Sequence, residues 1–137
     1  MNRKTLIATH GNLAEGFLSA LNIIVGPDDS LKAMNCYTTE GFDIEKVLDA
    51  FFEKLGDSDE LFVFTDLLGG SVNNAFIKRL EKHSFHLITN TSLGLLMYYS
   101  LMKPDAETLK QKLGSGEFSA VYCNDLIEQM MNEDDDL

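Results

Sequence analysis

Short, almost unbroken apolar runs alternate along the chain with stretches in which apolar positions recur every three or four residues. TLIA (5–8) reads as a strand. Leu13, Phe17, Leu21, Ile24 and Val25 then share one side of a helix, with Asn12 as N-cap, Glu15 three residues on and Gly26-Pro27 as the stop. LKAMNC (31–36) predicts a second strand. Asp43 caps a helix whose apolar face is Ile44, Val47, Leu48, Phe51, Phe52 and Leu55, closed by Gly56. LFVFT (61–65) is apolar at every position but the last, the pattern of a central parallel strand covered on both faces. Ser71 then caps a helix that turns Ala75, Phe76 and Leu80 inward. FHLIT (85–89) is a fourth strand, and residues 92–102 form a very apolar helix stopped by Pro104. Asp105 opens another helix that ends near Gly114. FSAVYC (118–123) predicts a last strand, and Asn124 caps a closing helix to about residue 132.

Strands that alternate with helices at this spacing make an α/β fold: a doubly wound, mainly parallel sheet with helices on both faces. The expected strand order is 2-1-3-4, and FSAVYC adds a carboxyl-terminal edge strand. No linker, repeat or low-complexity segment interrupts the series, so residues 1–132 read as one domain, followed by an acidic tail over 133–137. In such sheets ligands sit beyond the carboxyl ends of the strands where the order reverses. Here that is between strands one and three, and the loops there are Thr9-His10-Gly11 and TDLLGGS (65–71).

Both loops carry residues with chemistry. Gly69 and Gly70 let backbone approach a ligand closely, and the helix that follows offers unpaired N–H groups and a positive dipole end, a combination suited to a phosphoryl group. The spacing fits neither GxxxxGK[ST] nor GxGxxG, and two glycines at such a turn also serve conformation alone. Facing them is His10. A neutral imidazole can carry a phosphoryl group on one nitrogen while the other donates to a carboxylate, and Asp66 is placed to be that carboxylate. The plain alternative is a turn histidine bonded to a backbone carbonyl. A hydrolytic triad lacks a nucleophile, since Thr9 and Ser71 lie on no GxSxG elbow.

Composition narrows the partners. The chain has 22 acidic against 11 basic residues, a formal net charge of −11. Nucleic acid and anionic membrane surfaces are therefore disfavoured, and a protein with a basic face would be steered toward it. No apolar stretch is long enough to span a membrane, and the amino-terminal run is too short for a signal peptide, so a cytoplasmic protein is expected. Cys36 and Cys123, far apart and outside any CxxC, read as buried thiols. His83 reads as an exposed helix-end residue and His86 as a satisfied strand histidine, and neither has the spacing of a metal ligand. The methionines on apolar helix positions (97, 102, 130 and 131) read as core or subunit-contact fillers.

THGNLAEGF together with FVFTDLLGGSVNNA resembles the enzyme IIA domain of the mannose-family sugar phosphotransferase system (PTS), which carries a strand-end THG early and a D-x-x-GGSP-x-N loop midway. The resemblance covers the chain up to the acidic tail. It implies that His10 accepts a phosphoryl group at Nε2 from the phosphohistidine carrier HPr and passes it to a histidine of a IIB component, which serves a IIC/IID membrane complex. It implies that Asp66 orients His10, that Ser71 and the amides around Gly69 and Gly70 cradle the phosphoryl oxygens, and that Asn74 ties the loop. No metal or organic cofactor is implied. Val72 stands where the family has proline, and Leu67 and Leu68 where polar or aromatic residues are common. Helix 92–102 is more apolar than a helix with one wet face should be, which fits either burial within the monomer or a subunit interface. The resemblance implies the latter, a homodimer with the FSAVYC strand exchanged between subunits. Two other readings remain open: the related phosphotransfer subunit of dihydroxyacetone kinase, which shares the THG histidine, and a non-catalytic regulatory α/β module.

Overall fold

The computed structural model describes residues 2–135. Four strands form one sheet: β1 (Asn2–His10), β2 (Leu31–Cys36), β3 (Asp59–Thr65) and β4 (His86–Ile88). Their order is β2-β1-β3-β4 and every pairing is parallel, as the alternation predicts. The helices are α1 (Leu13–Ile24), α2 (Ile44–Glu53), α3 (Ser71–Arg79), α4 (Leu93–Met102), α5 (Ala106–Leu113) and α6 (Cys123–Asp135).

The period-two alternation of strand side chains splits the core into two layers. Leu6 and Ala8 of β1 with Leu61 and Val63 of β3 meet Leu48 and Phe52 of α2 and Val72 and Phe76 of α3 on one face. Ile7, Phe62 and Phe64 meet Leu21 of α1 and Leu95, Leu96 and Tyr99 of α4 on the other. With both faces covered, β1 and β3 are held rigidly, and rigid strands fix where their last residues emerge.

Several predicted details are corrected. β1 begins at Asn2, not Thr5, because the polar residues Asn2–Lys4 pair with Asp59–Leu61 along β3, and Lys4 adds an ion pair to Asp59 at 2.9 Å. Asn12 does not cap α1 with its side chain. Thr9 Oγ1 accepts the Ala14 N–H at 2.7 Å, and Asn35 Oδ1 accepts that of Glu15 at 3.2 Å, so neighbouring strands do the capping. Leu13, Ile24 and Leu80, expected inward, are largely exposed, since α1 turns Ala14 and Leu21 to the sheet and α3 turns Val72 and Phe76. Asp43 and Asp105 cap α2 and α5 as expected, and α2 stops at Glu53, ahead of Gly56.

The largest correction is at the carboxyl end. Residues 118–122 form no strand, and α6 starts at Cys123 rather than after Asn124. A β-leaning segment needs a neighbouring strand for its N–H and C=O groups, and within one chain 119–122 lie exposed with none beside them. Phe118 alone packs inward, its ring 5.5 Å from Tyr98. Cys123 is therefore exposed, whereas Cys36 is buried. Glu133–Asp135, expected as tail, continue α6, and residues 136–137 of the expected tail lie outside the described residues. Met102, Met130 and Met131 are exposed, while Met97 packs on the core. Among the described residues no helix is long and apolar enough to cross a membrane.

Candidate active site

β1 and β3 lie side by side, with Ala8 paired to Thr65, so His10 and Asp66 leave the sheet together at the carboxyl end of the strands. Three N–H groups converge on the Asp66 carboxylate. Its Oδ2 accepts the backbone N–H of His10 and meets Nδ1 of the imidazole, both at 2.9 Å, while Oδ1 accepts the Leu67 N–H at 3.0 Å. Burial raises the Asp66 pKa, but the donations from the His10 backbone and ring and from its own loop outweigh it. The carboxyl is held below its ordinary range and is ionised at neutral pH. A carboxylate only accepts, so in the neutral imidazole Nδ1 carries the ring proton and Nε2 the lone pair.

That lone pair faces the Ser71 hydroxyl, with Nε2 to Oγ 3.1 Å. Ser71 was expected to cap α3, but Gly70 takes the cap with extended backbone (φ −72°, ψ 158°) and Ser71 is the first helical residue. Its hydroxyl is thus free of capping and available to His10. The first N–H groups of α3 have no acceptor within the helix and mark its positive end. Val72 is fully buried in the core, so the residue in the family's proline position anchors the helix start while keeping its own N–H.

The loop before α3 is fixed from several sides. Gly70 N–H donates to Leu67 C=O at 3.1 Å, Asn74 Nδ2 to Gly69 C=O at 3.2 Å, and Leu68 N–H to Asn90 Oδ1 at 3.0 Å. Gly69 has φ +81°, which a side chain would strain. Gly70 is required for space: a Cβ there would lie 3.2 Å from Leu67 O and 3.3 Å from Cε1 of His10. Below the site, Cys36 is inert. Burial first, then the Asp66 charge, pushes its thiol up to about 11, so it stays protonated at neutral pH. The side chain of His10 is 41% exposed. Its Nε2 is an oriented ring nitrogen open to solvent beside a hydroxyl and a helix start, and in the neutral imidazole that arrangement can receive an electrophilic phosphoryl group.

The family model described as PTS system fructose IIA component (EIIA-man) matches residues 4–115. The chain belongs to this family. Solved structures agree. A candidate phosphoenolpyruvate-dependent sugar PTS permease from Klebsiella pneumoniae is 32% identical, with a TM-score of 0.82 over 93% of this chain and 95% of that one. The PTS component EIIA from Streptococcus agalactiae is 26% identical, with a TM-score of 0.74 over 89% and 98%. The mannose/sorbose-specific IIA subunit from Enterococcus faecalis, 21% identical, shares the fold (TM-score 0.68, covering 88% and 96%). A comparison with curated proteins returns no match. This PTS IIA protein therefore has a phosphotransfer role in sugar uptake.

All the residues that the sequence of this IIA protein singles out come together: His10, Asp66, Gly69, Gly70 and Ser71, with Asn74 as the loop tie. Two neighbours were not foreseen. Tyr37 stacks on the His10 ring with centroids 5.5 Å apart and planes inclined by 22°. Asn90, in a left-handed conformation at φ 54°, holds Leu68. Their signal was slight: a tyrosine just past the end of β2, the strand beside β1, and an asparagine just past β4. The other histidines lie apart. His83, expected exposed, is half-buried and stacks on Phe52 at 4.4 Å, and His86 meets Glu60 at 3.2 Å, an acid the sequence did not mark. Among the described residues no group of three or more His, Cys, Asp and Glu is gathered to hold a metal ion.

Proposed function

We propose that this protein is a phosphoryl carrier that takes a phosphoryl group onto Nε2 of His10 from phospho-HPr and passes it to a histidine of a IIB component, which serves a IIC/IID membrane complex. The observation that carries the reading is the Asp66 carboxylate on Nδ1, which in the neutral ring places the lone pair on Nε2, exposed and beside Ser71. In the forward step the Nε2 lone pair forms the new N–P bond. The P–N bond to the donor imidazole breaks, and its electron pair returns to the donor nitrogen. The proton on Nδ1 stays on Asp66's hydrogen bond throughout, so the positive charge that builds on the ring meets a fixed carboxylate. The Ser71 hydroxyl turns from Nε2 to a phosphoryl oxygen, and the amides at Gly69, Gly70 and the start of α3 receive the others. No metal or cofactor has a part in this chemistry, since donor and acceptor are both protein imidazoles.

The protein would work in the cytoplasm, where HPr and IIB reach it, without nucleic-acid partners. Residues 1–132 would act as one unit. A homodimer fits the exposed apolar side chains of Val121, Tyr122, Leu126, Ile127, Met130 and Met131. In such a pair residues 118–122 of each chain would find, on the other, the neighbouring strand that they lack alone.

The test is label transfer. Incubation with phosphoenolpyruvate, enzyme I and HPr is expected to load an acid-labile phosphate, which a IIB protein then removes. Labelling without HPr, or label stable in acid, would overturn the reading. Discharge to a dihydroxyacetone kinase subunit instead of IIB would assign the same chemistry to that enzyme. Gly70→Ala is expected to slow loading about tenfold by pressing its methyl on Cε1 of His10 and on the Leu67 carbonyl, with a thermal destabilisation of about 1 kcal/mol from the shift of the loop. Single-turnover kinetics beside a thermal melt read both effects.

A further inference from the structure

We propose that Tyr37 is a positioning residue for the phosphoryl-accepting imidazole, a proposal that rests on His10 being the acceptor. Hydrogen bonds alone do not hold the ring in one plane. The Nδ1 bond to Asp66 and the Nε2 contact with Ser71 restrain the ring only at its two nitrogens, which leaves the side-chain torsions room to tilt its plane within the tolerance of those bonds. A surface against its face stops that tilt, and Tyr37 supplies it, stacked at 5.5 Å and 22°.

The support for Tyr37 runs back to the core. Its ring meets Phe42 edge-on at 5.0 Å, and Phe42 packs against the core layer formed with α2. Beneath it the backbone is pinned where β2 ends, because Cys36 pairs with His10 and accepts the Gly11 N–H at 2.8 Å. Tyr37 itself has φ +65°, a left-handed conformation that is unfavourable for a bulky residue and persists only where surroundings enforce it. A glycine or asparagine would suit this turn better. A tyrosine kept there at that cost, with 46% of its surface exposed and no place in the core, points to the contact it makes.

In use, the stack keeps the Nε2 lone pair in one direction while the donor protein docks, so that the phosphorus arrives in line with it. The ring of Tyr37 also covers one face of the imidazole, which limits the approach of water to the N–P bond once it has formed. The hydroxyl has no part in either effect, so Tyr37→Phe keeps the stack, whereas Tyr37→Ala and Tyr37→Asn lose it. Asparagine tolerates the left-handed backbone, which separates loss of the ring from collapse of the turn.

The experiment compares the four proteins in single-turnover loading from phospho-HPr over a range of donor concentrations, with the imidazole resonances of His10 followed by ¹⁵N NMR before loading. Tyr37→Ala and Tyr37→Asn are expected to load about tenfold more slowly at saturating donor, with the half-saturating concentration within about twofold of the parent. Their His10 ring resonances are expected to broaden, and Tyr37→Phe is expected to restore both readouts. A raised half-saturating concentration with an unchanged maximal rate would make Tyr37 a docking residue and overturn the proposal. Unchanged kinetics and unchanged His10 resonances would overturn it as well. If the parent protein takes no phosphate on His10, the functional reading fails instead, and the NMR comparison still reports whether Tyr37 holds the ring.

Discussion

Replacing His10 with alanine is expected to abolish phosphate loading while the protein stays folded. The side chain contributes little to the core, since it is 41% exposed and its contacts are two polar partners and one half-exposed ring. Thermal unfolding should shift by no more than a few degrees, in line with surface substitutions of about 1 kcal/mol or less. The other histidines cannot take over. His83 is stacked on Phe52 and His86 is tied to Glu60, and neither neighbours a glycine loop or a helix start. His10→Ala should therefore carry no acid-labile phosphate, as measured by intact-protein mass spectrometry. Full loading of that variant would remove the acceptor from the account.

Asp66→Asn is the second large effect. Asp66 receives three N–H donors on two oxygens, and an asparagine has only one oxygen. If the amide oxygen stays with His10, its NH2 group confronts the Leu67 N–H and displaces the 67–70 loop. If it turns to Leu67, the NH2 group confronts Nδ1 and drives the ring proton to Nε2, where it blocks the lone pair. Either arrangement also removes the charge that balances the ring as it becomes cationic. Loading should fall about a hundredfold or more, the scale on which positioned proton and charge partners act. The stability difference has a pH signature. The folded state holds Asp66 below its ordinary value near 4, so its contribution is fully present above about pH 4. It is lost as pH falls further, through the folded value. The gap in stability between parent and Asp66→Asn should thus be constant near neutrality and narrow only in strong acid, as denaturant titrations at several pH values would show.

The parallel order and the meeting of His10 with Asp66 were legible because each rests on local patterns. LKAMNC matches β2 to the residue, and once LFVFT is read as a central strand, the ends of strands one and three must lie together. What escaped was decided across the sheet. Asn2–Lys4 look like a polar lead-in, and only their ladder with β3 makes them strand. Asn12 looks like a cap, but the side chains of Thr9 and Asn35 reach the helix start first. FSAVYC has strand composition without a strand to join in its own chain. Ser71 matches the cap pattern, yet its shift by one place frees the hydroxyl that faces Nε2. Tyr37 left only a slight signal, its place just past β2, because its role comes from one strained backbone angle beside a neighbouring strand's last residue.

The central claim is that phosphorus binds Nε2 of His10. Phosphorylating ¹⁵N-histidine-labelled protein through phospho-HPr and reading the one-bond phosphorus–nitrogen coupling tests it most directly. The account predicts a single coupled ring, His10, with the coupling at Nε2 and the proton retained on Nδ1 against Asp66. Coupling at Nδ1, or on His83 or His86, would contradict it.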